Sequence, residues 1–238
     1  MEEATIKKES AKFNEVNRIY DDIASSLKGK LKNIEKIINE AENTDSPTLK
    51  KDLLRACVMG AYLKRYSNMT LLSKTTEVGS DLIPAGELQL AIRESLEYLC
   101  LGGGKLAKVF LSCEGERLKV STGLKLYEIF ECFVEELVMS DCTLMADINK
   151  DASGNIILKL NVGIDDGDDK EAFTEACARI KVEYGMSVEF GDEDSDKVYI
   201  TILGGGEVTH EYNNDNADRM YRPCSASFLH DVSYGLCA

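Results

Sequence analysis

The sequence predicts an α+β protein, a long antiparallel helical hairpin followed by an α/β sandwich of helices on a mixed sheet. Three observations carry that expectation. Apolar residues step by three and four through Phe13, Val16, Tyr20, Ile23, Leu27, Leu31, Ile34 and Ile38, the period of one helix face. The run Asn43-Thr44-Asp45-Ser46-Pro47 then breaks and restarts the chain. After Gly79 the texture shifts to short apolar alternations divided by turn residues.

The first helix is expected from about residue 5 to about residue 43, with Gly29 as its weak spot. Asp45 or Ser46 suits an N-cap, and Pro47 suits the first turn of a second helix. That helix runs roughly from 47 to 77 and carries Leu49, Leu53, Ala56, Cys57, Gly60, Leu63 and Met69. Two helices of this length expose an apolar stripe that a lone hairpin cannot cover. Two hairpins pairing into a dimeric four-helix bundle would cover it. Packing of the hairpin on the chain's own C-terminal part is the alternative.

Beyond Gly79, Pro84 is expected to open a helix through Cys100, stopped by Gly102-Gly103-Gly104. A strand or hairpin follows across Lys105–Val120, with alternation in Val109-Phe110-Leu111. Ser121 or Thr122 would cap the next helix, whose buried face is Leu126, Phe130, Phe133 and Leu137. Strands over Thr143–Asn149 and Asn155–Val162 join through Lys150-Asp151-Ala152-Ser153-Gly154. Lys170–Tyr184 reads as a helix, and Met186–Phe190 with Lys197–Leu203 as a last hairpin. The expected division is a hairpin over 1–79, an α/β domain over 80–203 and an extension over 204–238.

Composition narrows the function classes. With 44% apolar and 29% charged residues the chain is ordinarily globular, and a net charge of -14 speaks against a nucleic-acid partner. The eight cysteines include no Cys-x-x-Cys pair and read as reduced thiols of a cytoplasmic protein. His210, Cys224, His230 and Cys237 lack the close ligand spacing of a zinc site, so no metal site is expected. No apolar run reaches about 18 residues, and the charged start Met1-Glu2-Glu3-Ala4-Thr5-Ile6-Lys7-Lys8 has no signal-peptide pattern.

The stretch Asn17-Arg18-Ile19-Tyr20-Asp21-Asp22-Ile23-Ala24-Ser25-Ser26-Leu27 resembles the phosphoacceptor helix of sensor histidine kinases of the Arg-Ile-x-x-x-x-His-Asp type. The later element order, with Leu126-Tyr127-x-Ile129-Phe130, is similar to the ATP-binding domain shared by histidine kinases and gyrase-type ATPases. Together the resemblance covers about residues 13 to 203. It implies a dimerising hairpin, an ATPase-type domain and ATP with Mg²⁺ as cofactors of an active member. It also implies response regulators docking near the phosphoacceptor, and often a membrane sensor segment upstream.

The functional words depart from the family. Ala24 stands at the phosphoacceptor position and Ser25 at the neighbouring acid, and a methyl group cannot replace the nucleophilic imidazole. Aligned on Leu126–Phe130, the family's catalytic glutamate falls on Cys132 and its magnesium-holding asparagine on Glu136; sliding by one gives Glu131 and Glu135. A carboxylate holds Mg²⁺ through oxygen, which makes Glu136 a substitute ligand. The adenine-reading Asp-x-Gly-x-Gly survives as Asp165 and Gly167, with Asp169 in place of the second glycine. Asp169 then runs straight into Lys170-Glu171-Ala172-Phe173, without the lid or the glycine-rich phosphate cradle.

The resulting expectation is a degenerate histidine-kinase-like signalling protein, acting by dimerisation and protein contact without phosphoryl transfer. Its catalytic set is empty, and Glu136, Asp165 and Gly167 are what is left of a nucleotide site. Expected partners are a second copy and a response regulator or other signalling protein, docking around Asp21, Asp22, Ala24 and Ser25. The alternatives are a functional ATP-binding kinase of a two-component system with diverged motifs, and a phosphotransfer-type scaffold or plain oligomerisation module.

Overall fold

A computed structural model describes residues 2–41, 47–75, 81–101, 105–138, 140–164, 167–194 and 197–204. Helices α1 (Glu2–Ala41) and α2 (Pro47–Thr75) form the hairpin. Their one proline is Pro47, at the first position of α2, where its missing N–H leaves no broken bond. Strand β1 (Leu82–Pro84) leads into α3 (Ala85–Leu101), followed by β2 (Leu106–Leu111), β3 (Arg117–Lys119) and α4 (Val120–Leu137). Then come β4 (Cys142–Lys150), β5 (Ile156–Ile164), α5 (Gly167–Tyr184), a 3-10 turn at Gly185–Ser187, β6 (Val188–Asp194) and β7 (Lys197–Leu203).

Five strands form one mixed sheet in the order β2-β4-β5-β7-β6, with β2 and β4 parallel and the other pairs antiparallel. Alternate residues build its inner face, among them Leu144, Ala146, Ile148, Leu158, Leu160, Val162, Val198, Ile200 and Ile202, all essentially buried. Leu126, Phe130, Phe133 and Leu137 of α4 lie fully buried, as the helical spacing requires. Leu106, Phe110 and Met145 remain exposed.

Three local expectations are corrected. Of the strand or hairpin expected across Lys105–Val120, the strand is found as β2 but the hairpin is not: β2 pairs with β4, whereas β3 pairs with β1 in a separate two-stranded sheet. Its apolar pair Ile83 and Leu118, directly opposite in that small sheet, is buried against Gly123, which places it away from β2. Ser121 and Thr122 do not cap α4. The helix begins at Val120, whose N–H donates to the Asp81 carbonyl at 3.0 Å, so a backbone oxygen serves where a side-chain cap was expected. Pro84 closes β1 rather than opening α3; Ala85 starts that helix, its N–H bonded to the Glu116 carbonyl at 2.8 Å.

Gly154 and Gly204 are among the glycines that the geometry requires. Gly154 takes φ +84° in the β4–β5 turn, a conformation that side chains resist. At Gly204, just past β7, a Cβ would stand 2.6 Å from the Ile156 carbonyl and 2.7 Å from Thr122 Cγ2. Only glycine lets the chain pass between β5 and α4.

The hairpin seats on the rest of the chain. Helix α2 packs against α3 and α4, and Leu54, Val58, Tyr62 and Met69 join Ile19, Ile23 and Leu27 of α1 in one core continuous with the sheet. The chain's own helices therefore cover the inner apolar stripe. Phe13, Val16, Tyr20, Leu31 and Ile38 of α1, with Leu53 of α2, stay exposed on the outside. Among the described residues no helix is long and apolar enough to cross a membrane. Gly79, Gly102–Gly104 and the extension with His210, Cys224, His230 and Cys237 lie outside the described residues.

Candidate functional site

Helix α4 presents two neighbouring polar stripes because side chains four apart share a face. Tyr127, Glu131 and Glu135 form one stripe; Glu128, Cys132 and Glu136 form the next. The first faces the hairpin and α3, the second faces α5. The two alignments allowed by the sequence thus correspond to two different sides of one helix.

On the hairpin side, Glu131 is fully buried. Ser95 of α3 donates a hydrogen bond to its Oε1, and the Ser95 hydroxyl lies 3.0 Å from Tyr127 Oη. Its Oε2 has no hydrogen-bond partner. Burial, only partly offset by Ser95 and Lys30, pushes the Glu131 carboxyl up to about 8. Tyr62 of α2 stacks at a tilt on Tyr127, ring centroids 5.4 Å apart, and closes this chamber from the hairpin side. Burial likewise raises both phenols.

Above the chamber sits an ionic clasp. Lys30 of α1 pairs with Glu135, its ammonium also 4.9 Å from the Tyr62 ring centroid, and Arg55 of α2 approaches the other Glu135 oxygen at 3.9 Å. Burial alone would lower the Lys30 ammonium, but Glu135 beside it wins and holds it raised. A second clasp joins α2 to α3, where Glu94 takes Lys64 at 2.6 Å and Arg65. Burial works against that carboxylate; the two cations prevail and hold its pKa below the usual range.

On the α5 side, Tyr184 Oη lies 3.6 Å from Cys132 Sγ and 3.4 Å from Glu128 Oε1. Arg179 pairs with Glu136 at 3.4 Å, and Phe173 meets Phe133 edge-on with centroids 6.4 Å apart. The two positions on this face that the sequence singles out are one thiol and one carboxylate, each engaged by α5. Burial raises the Cys132 thiol, so it is not a poised thiolate.

The structure does not gather the residues singled out from sequence into one pocket. Ala24 is exposed on α1 together with Asp21, Asp22 and Ser25, and Lys30 lies about 9 Å further along the same helix. Glu136 is exposed in its pair with Arg179. Gly167 opens α5 in open space, with no atom within 4 Å of where a Cβ would stand. Asp165 lies outside the described residues. Among the described residues no group of three or more His, Cys, Asp or Glu side chains is placed to hold a metal ion.

In the sequence Glu131 and Glu135 stand out only as a slipped alignment, which does not reveal the chamber. The signal was present: Glu131 stands four residues after Tyr127 and three before Val134, both on the apolar face. A charged residue on such a face must be buried with partners.

No protein-family model matches the chain, and no curated protein does. Among solved structures it is similar to the histidine kinase domain of the Erythrobacter litoralis EL346 blue-light activated kinase. There the identity is 6%, the TM-score 0.42, and 74% of this chain and 94% of that one are covered. It is also similar to the Acinetobacter baumannii histidine kinase AdeS, at 12% identity and TM-score 0.36, covering 76% of this chain and 98% of that chain. A bacterial phosphotransferase gives 11%, 0.34, 78% and 92% for the same quantities. At such identities the side chains, not the superposition, bear on chemistry.

Proposed function

We propose that the chain is a degenerate histidine-kinase-like signalling protein that works by dimerisation and protein contact, without phosphoryl transfer. The observation that carries this reading is the set of contacts that α5 makes with α4. The two positions that the sequence resemblance assigns to nucleotide handling, Cys132 and Glu136, face Tyr184 and Arg179. A thiol raised by burial is a poor general base, and a carboxylate already paired to an arginine is a poor magnesium ligand. The exposed methyl of Ala24 supports the same reading, since it offers no nucleophile at the phosphoacceptor position.

Contact surfaces remain available. The exposed apolar residues Phe13, Val16, Tyr20, Leu31 and Ile38 of α1, with Leu53 of α2, support a second copy as the occupant of the hairpin's outer face. Asp21, Asp22 and Ser25 beside Ala24 would meet a response regulator or other signalling partner. Incubation of the full chain with labelled ATP and Mg²⁺ tests the proposal. Neither retained nucleotide nor labelled protein is expected. Acid-labile label on the chain would overturn it, and bound nucleotide without label would make the protein a nucleotide sensor instead.

A further inference from the structure

The most unusual group in the described residues takes no part in the proposed function. Glu131 is a fully buried carboxyl at the seam between hairpin and domain, and one of its oxygens has no partner. Every element packed around it contributes a polar or titratable neighbour: Lys30 from α1, Tyr62 from α2, Ser95 and Glu94 from α3, and Tyr127, Cys132 and Glu135 along α4. Tyr184 of α5 stands behind Cys132. Lys30 is the cation that acts most on it, and it is committed to Glu135, which Arg55 of α2 also approaches, and to the face of Tyr62. Glu131 is therefore enclosed by hydroxyls and a competing carboxylate.

What encloses it is the hairpin. The Tyr62 ring lies on Tyr127, and Lys30 reaches across to Glu135. Lifting α1 and α2 away would expose the chamber to water and leave Glu131 an ordinary surface glutamate.

We propose that the seat of the hairpin on α4 is a proton-linked latch: docking shuts Glu131 in as the neutral acid, and rising pH releases the hairpin. The sign follows from linkage. Released, the carboxyl ionises near 4.5; seated, it is pushed up to about 8. The seated state thus holds one more proton between those values. The Glu131 contribution to seating is undiminished near pH 4.5, weakens by up to about tenfold per pH unit as pH rises toward 8, and levels off above that. The proposal holds whether or not nucleotide binds.

The chain contains no tryptophan, so a single introduced one reports cleanly. Tyr66→Trp, half-buried on α2 beside Tyr62, reports on the seat. Phe110→Trp, exposed on β2, reports on the domain alone. Urea titrations of the two full-length variants are compared at about pH 5.5 and about pH 8.5, inside and above the linkage window. At the lower pH the two transitions are expected to coincide. At the higher pH the transition seen by the α2 reporter should move to lower urea than the one seen by the β2 reporter. Adding Glu131→Gln should abolish that separation. Coincident transitions at both pH values, or a separation that survives Glu131→Gln, overturn the latch. Should that variant fail to fold, Ser95→Ala decides. It withdraws a donor that favours the charged form, so the seated value rises and the loss of seating continues above the pH at which the parent levels off; a plateau at the parent's pH overturns the proposal equally.

Discussion

Tyr184, in the last turn of α5, holds its hydroxyl 3.6 Å from Cys132 and 3.4 Å from Glu128, two residues on one stripe of α4. This contact ties the C-terminal end of α5 to α4. It is partly buried, so removing it has a measurable effect. Tyr184→Ala is expected to lower stability by about 1–2 kcal/mol in urea unfolding, without creating nucleotide binding. An undiminished midpoint would mean that α5 is not held through this side chain.

The core of α4 makes a sharper stability prediction. Phe130 is fully buried in the middle of the apolar face, whereas Phe110 is exposed on β2. Phe130→Ala should destabilise by about 3–5 kcal/mol through lost burial and a residual cavity. Phe110→Ala should stay within about 0.5 kcal/mol. Denaturant titrations of the two variants compare them directly.

Glu94 accepts from both Lys64 and Arg65, which holds its carboxylate below the usual range despite burial. A depressed folded-state value means that its contribution is full above the unfolded value of 4.5 and is lost as pH falls beneath it. Glu94→Gln should therefore flatten the acid limb of the stability profile below about pH 4.5 while leaving the slope above about pH 6 unchanged. Thermal melts across roughly pH 3 to 7 read this out.

Ala24 is exposed, so a histidine there would reach solvent without steric conflict. On the proposed reading Ala24→His is nonetheless expected to remain unlabelled after incubation with ATP and Mg²⁺, because Cys132 and Glu136 are already engaged by α5. Label appearing on that variant would contradict the proposed absence of phosphoryl transfer.

Outer-face dimerisation gives a separate test. Leu31 sits mid-stripe and exposed. Leu31→Glu should weaken self-association by roughly tenfold or more in sedimentation equilibrium, with little change in unfolding midpoint. Equal association by both forms would place any dimer contact elsewhere.

The fold was largely legible because its elements carry strong periods. The three-and-four steps of α1 and the paired aromatics Phe130 and Phe133 mark their helices without tertiary help. The alternation in β4 and β5 does the same for strands. What was not legible depended on contacts distant in sequence. β2 and β3 look like one hairpin until β1 and β4 claim them separately. The start of α4 depends on a carbonyl at Asp81, which no capping pattern near Ser121 foretells. The split between the Glu131–Glu135 and Cys132–Glu136 stripes hinges on a rotation of one residue about a helix. Only the positions of α2 and α5 tell which stripe faces which neighbour.

On the proposed reading the α4–α5 face does not serve a magnesium nucleotide. Calorimetric titration of the full chain with a non-hydrolysable ATP analogue and Mg²⁺ tests it most directly. The account predicts no saturable heat at millimolar nucleotide. Saturable micromolar binding that is lost on Glu136→Ala would contradict it.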